Sequence, residues 1–148
     1  MSQSRLHILL TNDDGVHAPG LLALAEALSS DAKVTIIAPD RNWSASGHVK
    51  TMHKPLRVKE TVVGDKYAAL QTNGAPSDAV ALGLMGLASA PVDLVMAGIN
   101  PGVNLGQDVT YSGTVTAAME GAIGDVPAIA VSLHVDRATD PDYGPAAG

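Results

Sequence analysis

LHILLT at residues 6–11, running straight into Asn12-Asp13-Asp14-Gly15, is the stretch from which the fold is read. A short unbroken apolar run closed by turn-forming polar residues is the pattern of a strand buried on both faces that meets a loop. Pro19-Gly20 then opens LLALAEALSS (21–30), whose apolar residues suit an amphipathic helix with proline in its first turn. KVTIIA (33–38) reads as a second buried strand, closed by Pro39-Asp40. Strand, helix and strand over about 33 residues make a βαβ unit.

Outward from this unit the alternation continues. The polar stretch 41–53 has no periodicity and reads as a long loop. Residues 56–63 and 67–72, separated by Gly64-Asp65-Lys66, read as a β-hairpin at the margin of the sheet. Asn73-Gly74-Ala75-Pro76-Ser77-Asp78 leads into an apolar helix to about Leu87, capped by Ser77 or a neighbour, with Asp78 favouring its positive end. DLVMAG (93–98) is another buried strand, followed by a Gly- and Asn-rich loop over 99–111. Ser112-Gly113-Thr114 opens VTAAMEGAIG, a helix of small residues made for close packing, and AIAVSL (128–133) is a last parallel strand. The expected fold is α/β: a Rossmann-like, doubly wound, mostly parallel sheet with a β-hairpin insertion. In such sheets ligands bind beyond the carboxyl ends of the strands. The final DPDYGPAAG (140–148) has turn chemistry and then stops, so 1–148 is read as one α/β domain truncated at its C-terminus.

Composition narrows the function. With 3% aromatic residues and no Phe, the core must be aliphatic. No Cys is present, which removes disulfides, thiolate nucleophiles and Cys-type zinc sites together and suits a reducing cytoplasm. The histidines His7, His17, His48, His53 and His134 have no zinc-site spacing. The apolar runs fall short of the roughly 18 residues of a membrane span, and residues 1–5 lead into too short a run for a signal peptide, so no membrane partner and no export are expected. A formal charge of −6 argues against nucleic acid as partner. No Lys or Arg occurs between Lys66 and Arg137, so an anion bound in that half must be held by helix ends, backbone N–H groups, neutral side chains or a metal.

Three polar clusters follow predicted strands and therefore share one sheet edge. In the first, the adjacent carboxylates Asp13 and Asp14 repel unless a cation neutralises them, and oxygen ligands suit Mg²⁺, Mn²⁺ or Ca²⁺. Neighbours on an extended strand face opposite ways, so both reach one ion only if Gly15 bends the chain. The same four residues are also good turn chemistry. The second cluster runs from Pro39 to Gly47 and offers Ser44 and Ser46 as neutral ligands and Arg41 for a phosphate or an acidic neighbour; alone it reads as a flexible Ser-rich loop. The third contains Gly98, Asn100, Gly102, Asn104, Gly106, Asp108 and Tyr111, then Ser112-Gly113-Thr114 at a helix start. Glycines there let N–H groups approach an anion, and Ser112 and Thr114 add hydroxyls. The competing account, Ser112 as a plain helix cap, is weakened by Val115 standing where a capping box wants Glu or Gln. Neither the Walker loop nor the dinucleotide fingerprint is present. His17 either assists proton transfer or is a loop histidine, and Glu120 is expected on an exposed helix face.

Taken together, ILLTNDDGVHAPG (8–20), APDRN (38–42) with Ser44, NGAPSD (73–78), AGIN (97–100) with Gly102 and Asn104-Leu105-Gly106, and YSGTV (111–115) with AAMEG (117–121) resemble the survival protein SurE family, which are metal-dependent 5′/3′-nucleotidases. The resemblance implies hydrolysis of nucleoside monophosphates with one divalent cation per subunit, Mg²⁺ or Mn²⁺, held by Asp13, Asp14, Ser44 and Asn100. Asn104, Ser112, Gly113 and Thr114 match the segment that meets the phosphate. It also implies homodimers or homotetramers, built in the family through C-terminal swapped elements that this sequence does not contain. The expected chemistry is attack by activated water, with Asp13 or Asp14 taking the proton. One alternative is an aspartyl-phosphate phosphatase using Asp13, which ordinarily has a second Asp where Gly15 stands. Another is a non-catalytic nucleotide- or phosphate-binding module. Trp43 and Tyr111 are the aromatics placed to stack on a base, with loose base preference expected.

Overall fold

The computed structural model describes residues 5–44, 46–135 and 140–148. Expectations that rest on residues 1–4, Ala45 and Arg137 lie outside the described residues. Six strands, β1 (His7–Thr11), β2 (Lys33–Pro39), β3 (Val58–Val63), β4 (Tyr67–Thr72), β5 (Leu94–Pro101) and β6 (Ala128–Leu133), form one sheet in the order β3-β4-β2-β1-β5-β6. All neighbours are parallel except β3 and β4, which form the antiparallel hairpin at the sheet's edge. This is the doubly wound, mostly parallel α/β sheet expected from the alternation of apolar runs.

Helix α1 (Pro19–Leu28) covers one face, while α2 (Pro76–Leu82) and α3 (Gly113–Ile123) cover the other. The period of two in β1 explains the layering: Ile8 and Leu10 pack with Leu21, Leu24 and Ala25 of α1. Leu9 points the other way, against Ala79, Val80, Ala117 and Ala118. Every residue of β1 is buried, as its uninterrupted apolar run requires. Among the described residues no helix is long and apolar enough to cross a membrane.

Three boundaries differ from the sequence reading. The apolar helix after Pro76 keeps α geometry only to Leu82 and continues as a wider turn over Gly83–Leu87, broken at Gly86, whose φ is 125°. Strand β5 extends to Pro101, so Asn100 is the penultimate residue of a strand rather than part of a loop. The tail forms a short helix, α4 (Gly144–Ala147), and Tyr143, Ala146 and Ala147 pack on the core beneath α1.

The strand order places the site. From β1 the chain first builds β2, then later crosses back to lay β5 on the other side of β1. The crevice beyond the carboxyl ends of β1 and β5 is therefore the point at which the winding reverses, where ligands bind in open parallel sheets.

Candidate active site

That crevice is lined by Asp13, Asp14, Ser44, Asn100, Asn104, Asp108, Tyr111 and Ser112, among others, around a cavity of about 310 Å³. The three clusters read from sequence thus meet at one place. Asp13 and Asp14 both face it because the chain turns sharply after β1. Asn12, fully buried, donates to the Gly15 carbonyl at 2.8 Å and accepts from the Gly15 N–H at 3.2 Å. Gly15 has a φ of 107°, which an L side chain rarely adopts, so this glycine supplies the bend.

Asp13 is 4% exposed and rigidly held. Its Oδ1 accepts from the Thr114 hydroxyl at 2.6 Å, and its carbonyl accepts from the Trp43 N–H at 2.7 Å. The first turn of α3 presses directly against it: a Cβ on Gly113 would stand 2.6 Å from the Asp13 Cβ. Asp14 is held less firmly. Its Oδ1 accepts only a long bond from Asn42 Nδ2, at 3.4 Å, while Oδ2 is buried with no partner. Burial, with the Asp13 charge beside it, pushes the Asp14 carboxyl up to about 6. Asn42 also accepts from the Ser44 N–H at 2.6 Å, which links the loop carrying Ser44 to Asp14. Asn100 Nδ2 donates to the Gly102 carbonyl at 2.8 Å, leaving the amide oxygen as the end that can meet a cation.

Among the described residues no three His, Cys, Asp or Glu side chains form a metal-holding group. The donor set is instead two carboxylates with two neutral oxygens, those of Ser44 and Asn100. The chemistry of that set fits a hard divalent cation, and the orphaned Asp14 oxygen is the atom such an ion would satisfy.

The residues expected to meet a phosphate divide. Asn104 and Ser112 line the crevice, with Asn104 Nδ2 donating to Ser132 Oγ at 2.6 Å. Thr114 is fully buried and its hydroxyl is committed to Asp13, and neither it nor Gly113 is a lining residue. What those two residues present is the start of α3, whose first N–H groups have no intrahelical acceptor. Ser112 is the helix cap after all, accepting from the Val115 N–H at 3.2 Å. The missing Glu or Gln at Val115 removes the reciprocal half of a capping box but leaves the serine's own bond intact.

Other side chains have roles that the sequence reading did not find. Glu120, expected on an exposed face, is 8% exposed and pairs with Lys50 and with His48 at 3.3 Å. That correction has a plain cause: α3 turns this carboxylate toward the loop 41–53, which returns two basic groups to it. Asp78 caps α2 through the Ala75 N–H at 2.8 Å and also accepts from the Thr51 N–H at 3.2 Å, while Ser77 donates to the Val49 carbonyl. The long loop is thereby tied to both helices of that face. A sequence signal existed only for Asp78, as an acid at a helix start. The Arg41 guanidinium lies 4.9 Å over the Trp43 ring rather than on an acid, and Trp43 is not a lining residue of the crevice; Tyr111 is. His17 is exposed.

The chain as a whole is similar to known proteins. The family model described as survival protein SurE matches residues 8–147. A protein of Syntrophotalea carbinolica named 5′-nucleotidase SurE is 53% identical over 140 residues, covering 95% of this chain and 54% of the relative. Another of the same name, from Herpetosiphon aurantiacus, is 54% identical over 128 residues, 86% of this chain and 50% of the relative. The crystal structure of the SurE protein from Aquifex aeolicus superposes with a TM-score of 0.75 at 46% identity, covering 85% of this chain and 50% of that one. The chain spans about half the length of the curated relatives it matches. With the family model matched across residues 8–147 and relatives more than 50% identical over most of the chain, this chain belongs to the SurE family.

Proposed function

We propose that this chain carries the catalytic centre of a divalent-metal-dependent phosphatase that hydrolyses nucleoside 5′-monophosphates, and 3′-monophosphates, to nucleoside and phosphate. The observation that carries this reading is the pair Asp13 and Asp14 at the reversal point of the sheet, with one buried Asp14 oxygen unpartnered beside Ser44 and Asn100. A buried carboxylate oxygen left without a partner costs about 1–3 kcal/mol or more, which a cation relieves. The substrate class is supported by the relatives named 5′-nucleotidase SurE. Asp13, Asp14, Ser44 and Asn100 hold one Mg²⁺ or Mn²⁺. When bound, that ion supplies Lewis acidity toward a phosphoryl oxygen and a nearby water.

The chain's own groups do the rest. Thr114 fixes Asp13 Oδ1, so that Oδ2 alone is presented. The N-terminus of α3, with Ser112 and Asn104, receives the phosphate through neutral donors, in keeping with a stretch that has no Lys or Arg. Asp14, whose Oδ1 accepts only a long bond from Asn42 Nδ2, takes the proton of the attacking water on that oxygen. The water oxygen bonds to phosphorus, the ester P–O bond breaks, and the leaving nucleoside oxygen takes up a proton. The family resemblance and the cysteine-free composition support a cytoplasmic protein working as a homodimer or homotetramer.

The test is phosphate release from the four common nucleoside monophosphates in Mg²⁺, in Mn²⁺ and in chelator, using this chain beside one extended to its relatives' length. Metal-dependent release from either upholds the reading. No release from both, or full activity in chelator, overturns it.

A further inference from the structure

A second cleft, of about 470 Å³, adjoins the carboxylate crevice and shares Asp14 and Pro101 with it. Its other chemistry-bearing walls are His17 and Arg41 from the loops after β1 and β2, Asp40, and Tyr143 from the tail. Tyr143 is anchored: its ring would lie 3.0 Å from a Cβ on Gly20, so it rests on the first turn of α1. Arg41 stacks on Trp43 and offers the cleft its remaining surface.

We propose that this second cleft receives the nucleoside of a nucleoside monophosphate whose phosphate lies in the carboxylate crevice, with the Tyr143 ring and the Arg41 guanidinium as its base-binding surface. The proposal rests on the phosphatase reading above and extends it to a subsite. Four observations point the same way. The cleft adjoins the crevice along Asp14 and Pro101, which places it within one ligand's reach of the carboxylates. Its volume lies within the range of small-molecule sites, about 300–1,000 Å³. Its charge does not favour a further phosphate: with Asp14 committed to the cation, Asp40 faces the single arginine, Arg41, beside His17. A neutral nucleoside is therefore the fitting occupant, with Asp40 able to accept from ribose hydroxyls. Finally, an aromatic ring and a guanidinium are surfaces on which any base stacks, which predicts weak discrimination among bases. The competing platform, Tyr111, is 65% exposed on the crevice itself and has no second wall of this kind.

The experiment compares adenosine 5′-monophosphate with glycerol 3-phosphate, an ester that reaches the crevice but has no base. The full chain, in its metal-loaded form, is assayed as parent, Tyr143→Ala, Arg41→Ala and Tyr111→Ala. Because Tyr143 also packs on Gly20, Tyr143→Leu is included, which retains bulk without an aromatic face. The expected result is that kcat/KM for the nucleotide relative to glycerol 3-phosphate falls about tenfold in the Tyr143 and Arg41 variants, and stays at the parental ratio in Tyr111→Ala. Equal loss on both substrates, or a ratio that falls only in Tyr111→Ala, overturns the subsite. If neither the parent nor the chain extended to its relatives' length releases phosphate from either ester, the phosphatase reading fails, and adenosine binding then decides the cleft separately. Adenosine bound by the parent and lost in Tyr143→Leu upholds it, and no adenosine binding overturns it.

Discussion

The two carboxylates at the end of β1 are adjacent in sequence and differently supported. Asp13 is buried, bonded through both its side chain and its carbonyl, and pressed by the first turn of α3. Asp14 is half-buried, with one oxygen on a long bond and the other orphaned, and its link to Ser44 runs through a loop. On the proposed metal reading, one half of the donor set is preorganised by helix packing, and the other would gain its order from the cation. A site with a rigid anchor and an adjustable arm accepts a cation without holding two fixed negative charges apart at full cost beforehand.

Removing the anchor is expected to have the largest effect. Asp13→Ala takes away a charge and the acceptor of the Thr114 hydroxyl, and should lower metal-dependent kcat/KM by about 10³-fold or more, on the order of 4 kcal/mol. Retention of full activity in Mn²⁺ by that variant ends the proposed mechanism. The adjustable arm is attacked more gently at its root. Asp78 accepts backbone bonds from Ala75 and Thr51, so Asp78→Ala leaves buried donors unpaired and should cost about 2–3 kcal/mol of stability. In urea this appears as a lower midpoint at unchanged slope; an unchanged midpoint means that the loop is not tied down by this carboxylate.

Thr114→Val tests whether the rigidity of Asp13 matters beyond its presence. The methyl matches the hydroxyl in shape but removes the 2.6 Å bond. Loss of such a supporting bond typically weakens metal affinity or activity by about 10- to 100-fold, and Thr114→Ser should recover most of it. If the valine variant titrates with Mn²⁺ like the parent, packing against Gly113 and the backbone bond from Trp43 are enough to hold Asp13.

The same contrast explains what was legible beforehand. Strand ends are local features, so the apolar runs before Asp13, before Asp40 and before Asn100 were enough to bring three polar clusters to one sheet edge, while Ser44 was distinguished from Ser46 only by the family resemblance. The reversal of strand order follows from a crossing of the chain that no local pattern records. Glu120 was misplaced because its partners come from 70 and 72 residues away, and a helix wheel of small residues has no sign of a loop folding back over it. The direction of the Thr114 hydroxyl was equally hidden: a serine and a threonine at a helix start look alike in sequence, yet one caps the helix and the other bonds Asp13. Tyr143 lay in a stretch read only as turn chemistry, and its packing on α1 is a tertiary event.

The smallest expected effect runs opposite in sign to the others and isolates the arm. With its carboxyl pushed from 3.8 up to about 6, Asp14 binds its proton more tightly in the folded than in the unfolded chain. In chelator, the unfolded state releases that proton first as pH rises through about 4, and the folded state pays for ionisation as pH passes about 6. Stability from this group is therefore complete below pH 4 and lost above 6. The full difference corresponds to about 3 kcal/mol, which partial exposure and solvent screening reduce to about 1 kcal/mol. Asp14→Asn removes the ionisation while keeping the shape, so at pH 7.5 in chelator the variant should melt about 3 °C above the parent, and at pH 4 the two should converge. Adding Mn²⁺ should reverse the order, raising the parent's midpoint and leaving the variant's nearly unmoved, because the ion stabilises only the form that binds it. A variant that melts below the parent in chelator at pH 7.5 shows that Asp14 is satisfied without a cation, and the division into anchor and arm then fails at its second half.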